Sequence, residues 1–228
     1  MDLSTRRTLL FLDLDEVIIT RLEIKADREI VTALHPSIVR CLCRAYKQIV
    51  ILTHRSKKEA LQILRLFNGI EDLILEVVGA EDLIWTSIAT GQILELAKKG
   101  FKKKLFVKFA SRKYGVRPEN MAIVDDHCNS VSGILDAGGG MGFLAPKPVV
   151  TKAEIRTFNL HDMVAQYCLF SKKGSGIAKM VALQADQVYR RSELLTGTVI
   201  FEKRPKFARK LAKDIRRRLF AGNLKKTF

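Results

Sequence analysis

A chain of 228 residues with 47% hydrophobic content is long enough to bury a sizeable core, which excludes wholesale disorder. Its 40 Lys+Arg against 24 Asp+Glu give a formal charge of +16, and a balance that basic points to an anionic partner: a phosphorylated substrate, nucleic acid or an acidic membrane face. No apolar run approaches the roughly 20 residues of a membrane span, and residues 1–7 leading straight into a strand are no signal peptide, so a cytoplasmic protein is expected.

In residues 8–20, TLLFLDLDEVIIT, four apolar residues (Leu9, Leu10, Phe11, Leu12) run unbroken into Asp13, Leu14 and Asp15. Such a run predicts a strand buried on both faces, as in a parallel sheet covered by helices. Its two acids then fall at the carboxyl edge of the sheet, where open α/β folds place ligands. Two carboxylates one residue apart repel unless a cation lies between them, so a metal-assisted site is favoured over a plain polar turn. Residues 16–28 mix apolar and charged side chains and predict a flap or hairpin over the strand end. Pro36 opens an amphipathic helix with Val39, Leu42, Cys43 and Tyr46 on one face. Residues 49–52 are a second buried strand, ending in Thr53-His54-Arg55-Ser56. Ser56 is placed to cap a helix whose inner face is Ala60, Ile63, Leu64 and Phe67.

A third strand is expected over residues 73–78 and a helix over 89–99, stopped by Gly100. Residues 102–114 predict another helix, with Leu105, Phe106, Phe109 and Ala110 apolar and Gly115 as its stop. The next buried strand, 121–124, also ends in paired acids, Asp125 and Asp126. A short helix over 129–137 breaks at Gly138-Gly139-Gly140, and residues 141–144 form a last strand before Pro146 and Pro148. Strands alternating with helices of this length predict an α/β class: a doubly wound, Rossmann-like parallel sheet flanked by helices over residues 1–150.

Residues 151–228 read as a helical, basic C-terminal extension. Helices are expected over 158–170 and 176–191, the latter with a stripe of Ile177, Val181, Gln184 and Val188 beside Met180, Leu183 and Gln187. Residues 202–228 are strongly basic, with Phe207, Leu211, Ile215, Leu219 and Phe220 at helical spacing. Such a helix suits an anionic membrane, nucleic acid or an acidic partner, or docks its apolar stripe on the core. The four cysteines, Cys41, Cys43, Cys128 and Cys168, lack zinc-site spacing and read as free thiols.

Three strands thus end in Asp13/Asp15, Thr53 and Asp125/Asp126 along one edge. A carboxylate attacks phosphorus once a divalent cation offsets the repulsion of two anions, and a second carboxyl group moves the protons. Oxygen ligands with room for water suit Mg²⁺. Thr53 can hydrogen-bond a phosphoryl oxygen, and a lysine can neutralise the growing charge.

FLDLDEVI, IVILTHR and MAIVDDH, in that order and each closing a buried strand, resemble the motifs of the haloacid dehalogenase-like superfamily of aspartate-based phosphatases over residues 9–144. The resemblance implies that Asp13 is the nucleophile and a Mg²⁺ ligand. Asp15 becomes the general acid/base, lending its backbone carbonyl to the metal, and Thr53 the phosphate-binding hydroxyl. Asp126 becomes the direct metal ligand and Asp125 its outer neighbour. For the lysine, the common superfamily layout favours Lys104, whereas LFVKFASRKYG is similar to the RNA polymerase C-terminal-domain phosphatases and favours Lys108. Glu16 stands where the family commonly has Gly, and an Asp-Glu sequence there is similar to those same phosphatases. His54 reads as shaping its turn; His127 and Cys128 read as local packing or helix-start residues.

Only residues 16–28 are free for a cap, so a minimal cap and an open site are expected. Open members of the superfamily tend to act on macromolecules, which makes a phosphoprotein the leading substrate. The function implied is a Mg²⁺-dependent phosphatase working through an aspartyl-phosphate. Two rivals stand beside it: a catalytically weak binding module recruiting nucleic acid or anionic membrane through residues 202–228, and a nucleotide or polynucleotide phosphatase. Delivery into another cell without a cleaved leader is compatible with the sequence.

Overall fold

The computed structural model describes residues 8–25, 27–36, 39–40, 48–99, 102–158, 179–182, 185–202 and 217. The apolar runs form the strands they predict. β1 (Leu9–Leu12), β4 (Ile49–Leu52), β6 (Met121–Asp125) and β7 (Met141–Leu144) are joined by the shorter β5 (Glu76–Val78) in a parallel sheet. β10 (Lys179–Ala182) adds a sixth strand at one edge, giving the order β10-β7-β6-β1-β4-β5. The chain runs from β1 outward to β4 and β5, then returns to lay β6 on the other side of β1. That reversal is a topological switch point, and Asp13 and Asp125 stand on either side of it.

Alternation along each strand sorts the core into two layers. Leu10, Leu12, Ile49, Ile51, Ala122 and Val124 face one side, where Ala60, Ile63 and Leu64 of α1 (Lys57–Leu64) cover them together with Phe67. Leu9, Phe11, Val50, Leu52 and Ile123 face the other. There they meet Leu83 of α2 (Ala80–Ala89), Phe106, Val107 and Ala110 of α4 (Phe106–Tyr114), and Val131 and Ile134 of α5 (Cys128–Asp136). Phe11 is fully buried edge-on to Phe106, and burying such a side chain is worth about 1.5–3 kcal/mol. The fold is therefore the expected Rossmann-like α/β sheet with helices on both faces.

Local signals explain the helix ends. Ser56 caps α1 in a reciprocal box, its Oγ accepting from the Glu59 amide at 3.2 Å while Glu59 accepts from the Ser56 amide at 3.3 Å. Gly115 closes α4 at φ 64°, in the left-handed region. Pro36 and residues 39–40 are helical, as expected; Leu42, Cys43 and Tyr46 lie outside the described residues.

Several elements differ from the expected ones. The helix expected over 89–99 is confined to α3 (Ile93–Lys99), because Gly91 turns the chain at φ 71°, and α2 before it was not expected. The strand expected over 73–78 is a 3-10 turn, Glu71–Leu73, followed by β5 alone.

The C-terminal extension departs most from its helical expectation. Among the described residues of 176–191, β10 and β11 (Ala185–Arg190) stand in place of the expected helix, and Arg191 begins a short helix of its own. β10 hydrogen-bonds to β7, and β11 pairs antiparallel with β9 (Glu154–Phe158), which also pairs with β8 (Val149–Val150). Pairing with the edges of β7 and β9 outweighed the 3.6-residue pattern: in β11, Gln187 and Tyr189 turn inward while Val188 and Arg190 are exposed. Of the helix expected over 158–170, Phe158 ends β9 and residues 159–170 lie outside the described residues. Of the basic stretch 202–228, Glu202 ends β12 (Thr198–Glu202), Arg217 is helical, and the others lie outside the described residues. No helix among the described residues is long and apolar enough to cross a membrane.

The flap expected after Asp15 is a hairpin with arms β2 (Ile19–Ile24) and β3 (Arg28–Ala33). β12 joins it as a third antiparallel strand, in the order β12-β3-β2.

Candidate functional site

The β1 ladder runs one residue past the strand, where the Asp13 amide donates to the Val124 carbonyl at 3.0 Å. The chain then turns sharply: the amides of Ile18 and Ile19 both donate to the Leu14 carbonyl at 3.1 Å. Glu16 takes φ 60° in this turn, a left-handed conformation that glycine adopts without strain. Its carboxylate is held by the fully buried Thr20, whose hydroxyl donates to Oε2 at 2.8 Å.

Asp13, Asp125 and Asp126 offer carboxylate oxygens that all lie within 4.8 Å of one another. They come from adjacent parallel strands, β1 and β6, that are far apart in sequence. Lys103 reaches between two of them, its Nζ 2.9 Å from Asp13 Oδ1 and 2.5 Å from Asp125 Oδ2. The second oxygen of Asp125 accepts from the His127 amide at 2.7 Å, so both its oxygens are engaged. Asp126 is bound less tightly, with Lys147 Nζ 3.7 Å away.

The charges do not balance. Burial pushes the Asp13 carboxyl up to about 8; Lys103 pulls it down, while Asp125 and Asp15 add to the rise. Burial, and then the neighbouring Asp125 charge, also raises Asp126. Burial works against the charge on Lys103, but Asp13 and Asp125 outweigh it and raise the lysine. Two like charges about 4 Å apart repel by about 4 kcal/mol at an effective dielectric near 20, so these acids, with Lys103 between two and Lys147 near the third, could hold a further cation. Oxygen donors alone, with one acid lightly held, suit a hard divalent ion such as Mg²⁺.

Asp15 faces a different neighbourhood. Arg55 Nε lies 3.0 and 2.9 Å from its two oxygens and Nη2 lies 2.6 Å from Oδ1, with Arg21 Nη2 at 3.2 Å. Burial alone would raise this carboxyl; Arg55, helped by Arg21, outweighs it and holds the group below the ordinary carboxylate range. Thr53 is fully buried at the end of β4, and its hydroxyl oxygen accepts from the Arg55 amide at 3.2 Å.

Neither lysine expected at the site is the one there. Lys104 points toward Glu95, 3.9 Å away, with its stem against Gly133, and Lys108 is exposed. Lys103 takes the position from a 3-10 turn, Lys103–Leu105, that leads into α4, where it falls in line with the buried Phe106, Val107 and Ala110 at i, i+3, i+4 and i+7. That spacing was the available signal. Arg55 was missed as well, since a basic residue at a strand-to-helix turn ordinarily reads as solvated. His54 lies on the rim, its pKa pushed down to about 4 by desolvation and the Lys103 charge. His127 and Cys128 start α5, as expected, and both are exposed.

No family model matches the sequence, and no curated protein matches it. Among solved structures, an uncharacterised protein from Corynebacterium glutamicum is similar over 74% of this chain and 98% of its own, at 17% identity and a TM-score of 0.41.

Proposed function

We propose that this protein is a Mg²⁺-dependent phosphatase that hydrolyses a phosphomonoester through an aspartyl-phosphate. The observation that carries the reading is the convergence of Asp13, Asp125 and Asp126, with Lys103 between two of them, at the switch point of a parallel sheet. Such a cluster alone can serve other anionic chemistries; the D-x-D sequence and the hydroxyl of Thr53 beside it favour phosphoryl transfer.

Asp13, Asp126 and the backbone carbonyl of Asp15 would hold the ion, with Asp125 behind them. Bound there, Mg²⁺ supplies positive charge that lets a carboxylate approach a phosphate dianion. An Asp13 oxygen forms a bond to phosphorus as the ester P–O bond breaks, and the departing oxygen takes a proton from Asp15, which must first gain it against the pull of Arg55. Water then attacks phosphorus, giving its proton to Asp15, and the bond from phosphorus to Asp13 breaks to release inorganic phosphate. The Arg55 pairing favours the ionised Asp15, the form that accepts the proton from water. Lys103 and Thr53 offset the charge on the transferring group.

A phosphoprotein is the substrate class that the surroundings favour. The insertion between Asp15 and β4 holds the β2–β3 hairpin, and the chain between β4 and Lys103 carries α1, β5, α2 and α3 of the core. Among the described residues of these segments the hairpin, widened by β12, is what could cover the site, and so small a cover favours a phosphate carried on a macromolecular surface.

The test is hydrolysis of p-nitrophenyl phosphate with and without Mg²⁺; its leaving group departs without a proton from Asp15, so turnover reads attack by Asp13 and the Asp15-assisted hydrolysis that follows. Metal-dependent turnover that disappears in Asp13→Asn supports the proposal. Equal turnover in the mutant, or none in the wild type, rejects it.

A further inference from the structure

Arg55 links four parts of the chain that are distant in sequence. It stands in the turn after β4, grips Asp15 after β1, and is itself held from behind. Its Nη2 lies 2.8 Å from Glu29 Oε1 and its Nη1 3.3 Å from Glu29 Oε2, both on β3. The Phe201 ring of β12 lies over the guanidinium, 5.4 Å from its centre. The Arg55 side chain is only 9% exposed, against 17% for Asp15 and 19% for Glu29.

A planar guanidinium has donors along two edges, and here each edge meets a carboxylate. The edge carrying Nε and Nη2 fixes both oxygens of Asp15; the edge carrying Nη1 and Nη2 fixes Glu29. An arginine side chain free to turn would sample many rotamers, and a carboxylate bound to it would move with it. The Glu29 fork and the aromatic face remove that freedom. Phe201 is 8% exposed and is brought there by five register pairs between β12 and β3.

We infer that Arg55 is a positioning residue for Asp15, locked by Glu29 and Phe201, so that the C-terminal strand β12 is a working part of the site. This rests on the phosphatase reading for its kinetic consequence but not for its structural one. The consequence is a division of labour around Asp15: the hairpin and the returning C-terminal strand hold Arg55, and Arg55, with Arg21 beside it, holds the carboxylate. Events that detach β12 from β3 would then reach the chemistry without touching a reacting group.

The experiment uses the full chain and two readouts, the solvent exchange of the Arg55 Nε–H resonance and the steady-state constants for p-nitrophenyl phosphate with Mg²⁺. The variants are Glu29→Gln, Phe201→Leu and Phe201→Tyr. A locked guanidinium gives a resolved, slowly exchanging signal in the wild type. Glu29→Gln and Phe201→Leu should each speed that exchange at least tenfold and lower kcat about tenfold, with KM within twofold. Phe201→Tyr, which keeps a ring over the guanidinium, should restore both. Exchange and kcat unchanged in Glu29→Gln and Phe201→Leu would overturn the inference. A wild type without turnover removes the phosphatase reading only, and the exchange rates then decide the positioning role alone. Should Phe201→Leu fail to fold, Glu29→Gln, at the more exposed end of the fork, decides the matter by the same two readouts.

Discussion

Lys103 Nζ lies 2.9 Å from Asp13 and 2.5 Å from Asp125, so one buried cation ties the end of β1 to the end of β6. The lysine is 3% exposed, and the two acids 7% and 0%. Removing one member of a buried ionic group leaves its partners uncompensated, which costs about 3–5 kcal/mol. Lys103→Met should therefore lose about that much stability in urea unfolding and lose phosphatase turnover. Lys104→Ala and Lys108→Ala remove surface charges and should stay within about 0.5 kcal/mol of wild type. Equal effects from all three lysines would mean that Lys103 does not occupy the interior.

The contrast among these lysines shows what a sequence reading reaches. β1, β4, β6 and β7 were legible because both faces of each are apolar, and the paired acids at two of their ends marked the sheet edge. The choice among Lys103, Lys104 and Lys108 was also written in the chain, as the 103, 106, 107, 110 spacing of the buried face. Likeness to family layouts pointed elsewhere. The pairing of Asp15 with Arg55 was not legible, because it needs the register of β1 against β4 and the placement of Glu29 by a hairpin. Nor were β10 and β11: the seven-residue spacing of Val181 and Val188 pointed to a helix, and pairing with β7 and β9 decides against it.

Asp13→Asn tests the metal demand directly. With Asp125 close by and one lysine between them, neutralising Asp13 relieves repulsion in the metal-free protein. Without Mg²⁺ its thermal midpoint should match or exceed that of wild type. On addition of millimolar Mg²⁺ the wild type should rise by several degrees, as any ligand of the native state requires, and the mutant should not. A mutant that gains as much as wild type would place the ion elsewhere.

The pH dependence of stability follows from the same acid. Asp13 has a folded pKa near 8, above its ordinary 3.8, so the folded state holds the proton more tightly than the unfolded chain. The stability contributed is complete below pH 4 and is lost as pH rises toward 8. Glu16 and Asp126 are shifted in the same direction. Asp15 is shifted oppositely, and its contribution is lost only on acidification below the ordinary carboxylate range. Metal-free protein should thus unfold more easily at pH 8 than at pH 5.5, and Mg²⁺ should narrow the difference. Denaturant midpoints at the two pH values, with EDTA or MgCl₂, measure this. A flat profile in EDTA would contradict the buried charge imbalance.

Glu16 sets two effects against each other. Its φ of 60° costs a residue with a side chain about 1 kcal/mol relative to glycine, yet its carboxylate accepts the hydroxyl of a fully buried Thr20 at 2.8 Å. Leaving a buried hydroxyl without that partner costs about 1–3 kcal/mol. Glu16→Ala loses the hydrogen bond and keeps the strain, so it should destabilise by about 1–3 kcal/mol. Glu16→Gly loses the same bond but relieves the strain, and should be more stable than the alanine variant by about 1 kcal/mol. Comparing the two in one denaturant series cancels the Thr20 contribution and isolates the backbone. If alanine proves equal to glycine, the turn after Asp15 does not hold a left-handed residue, and the path that brings Asp15 to Arg55 must be drawn differently.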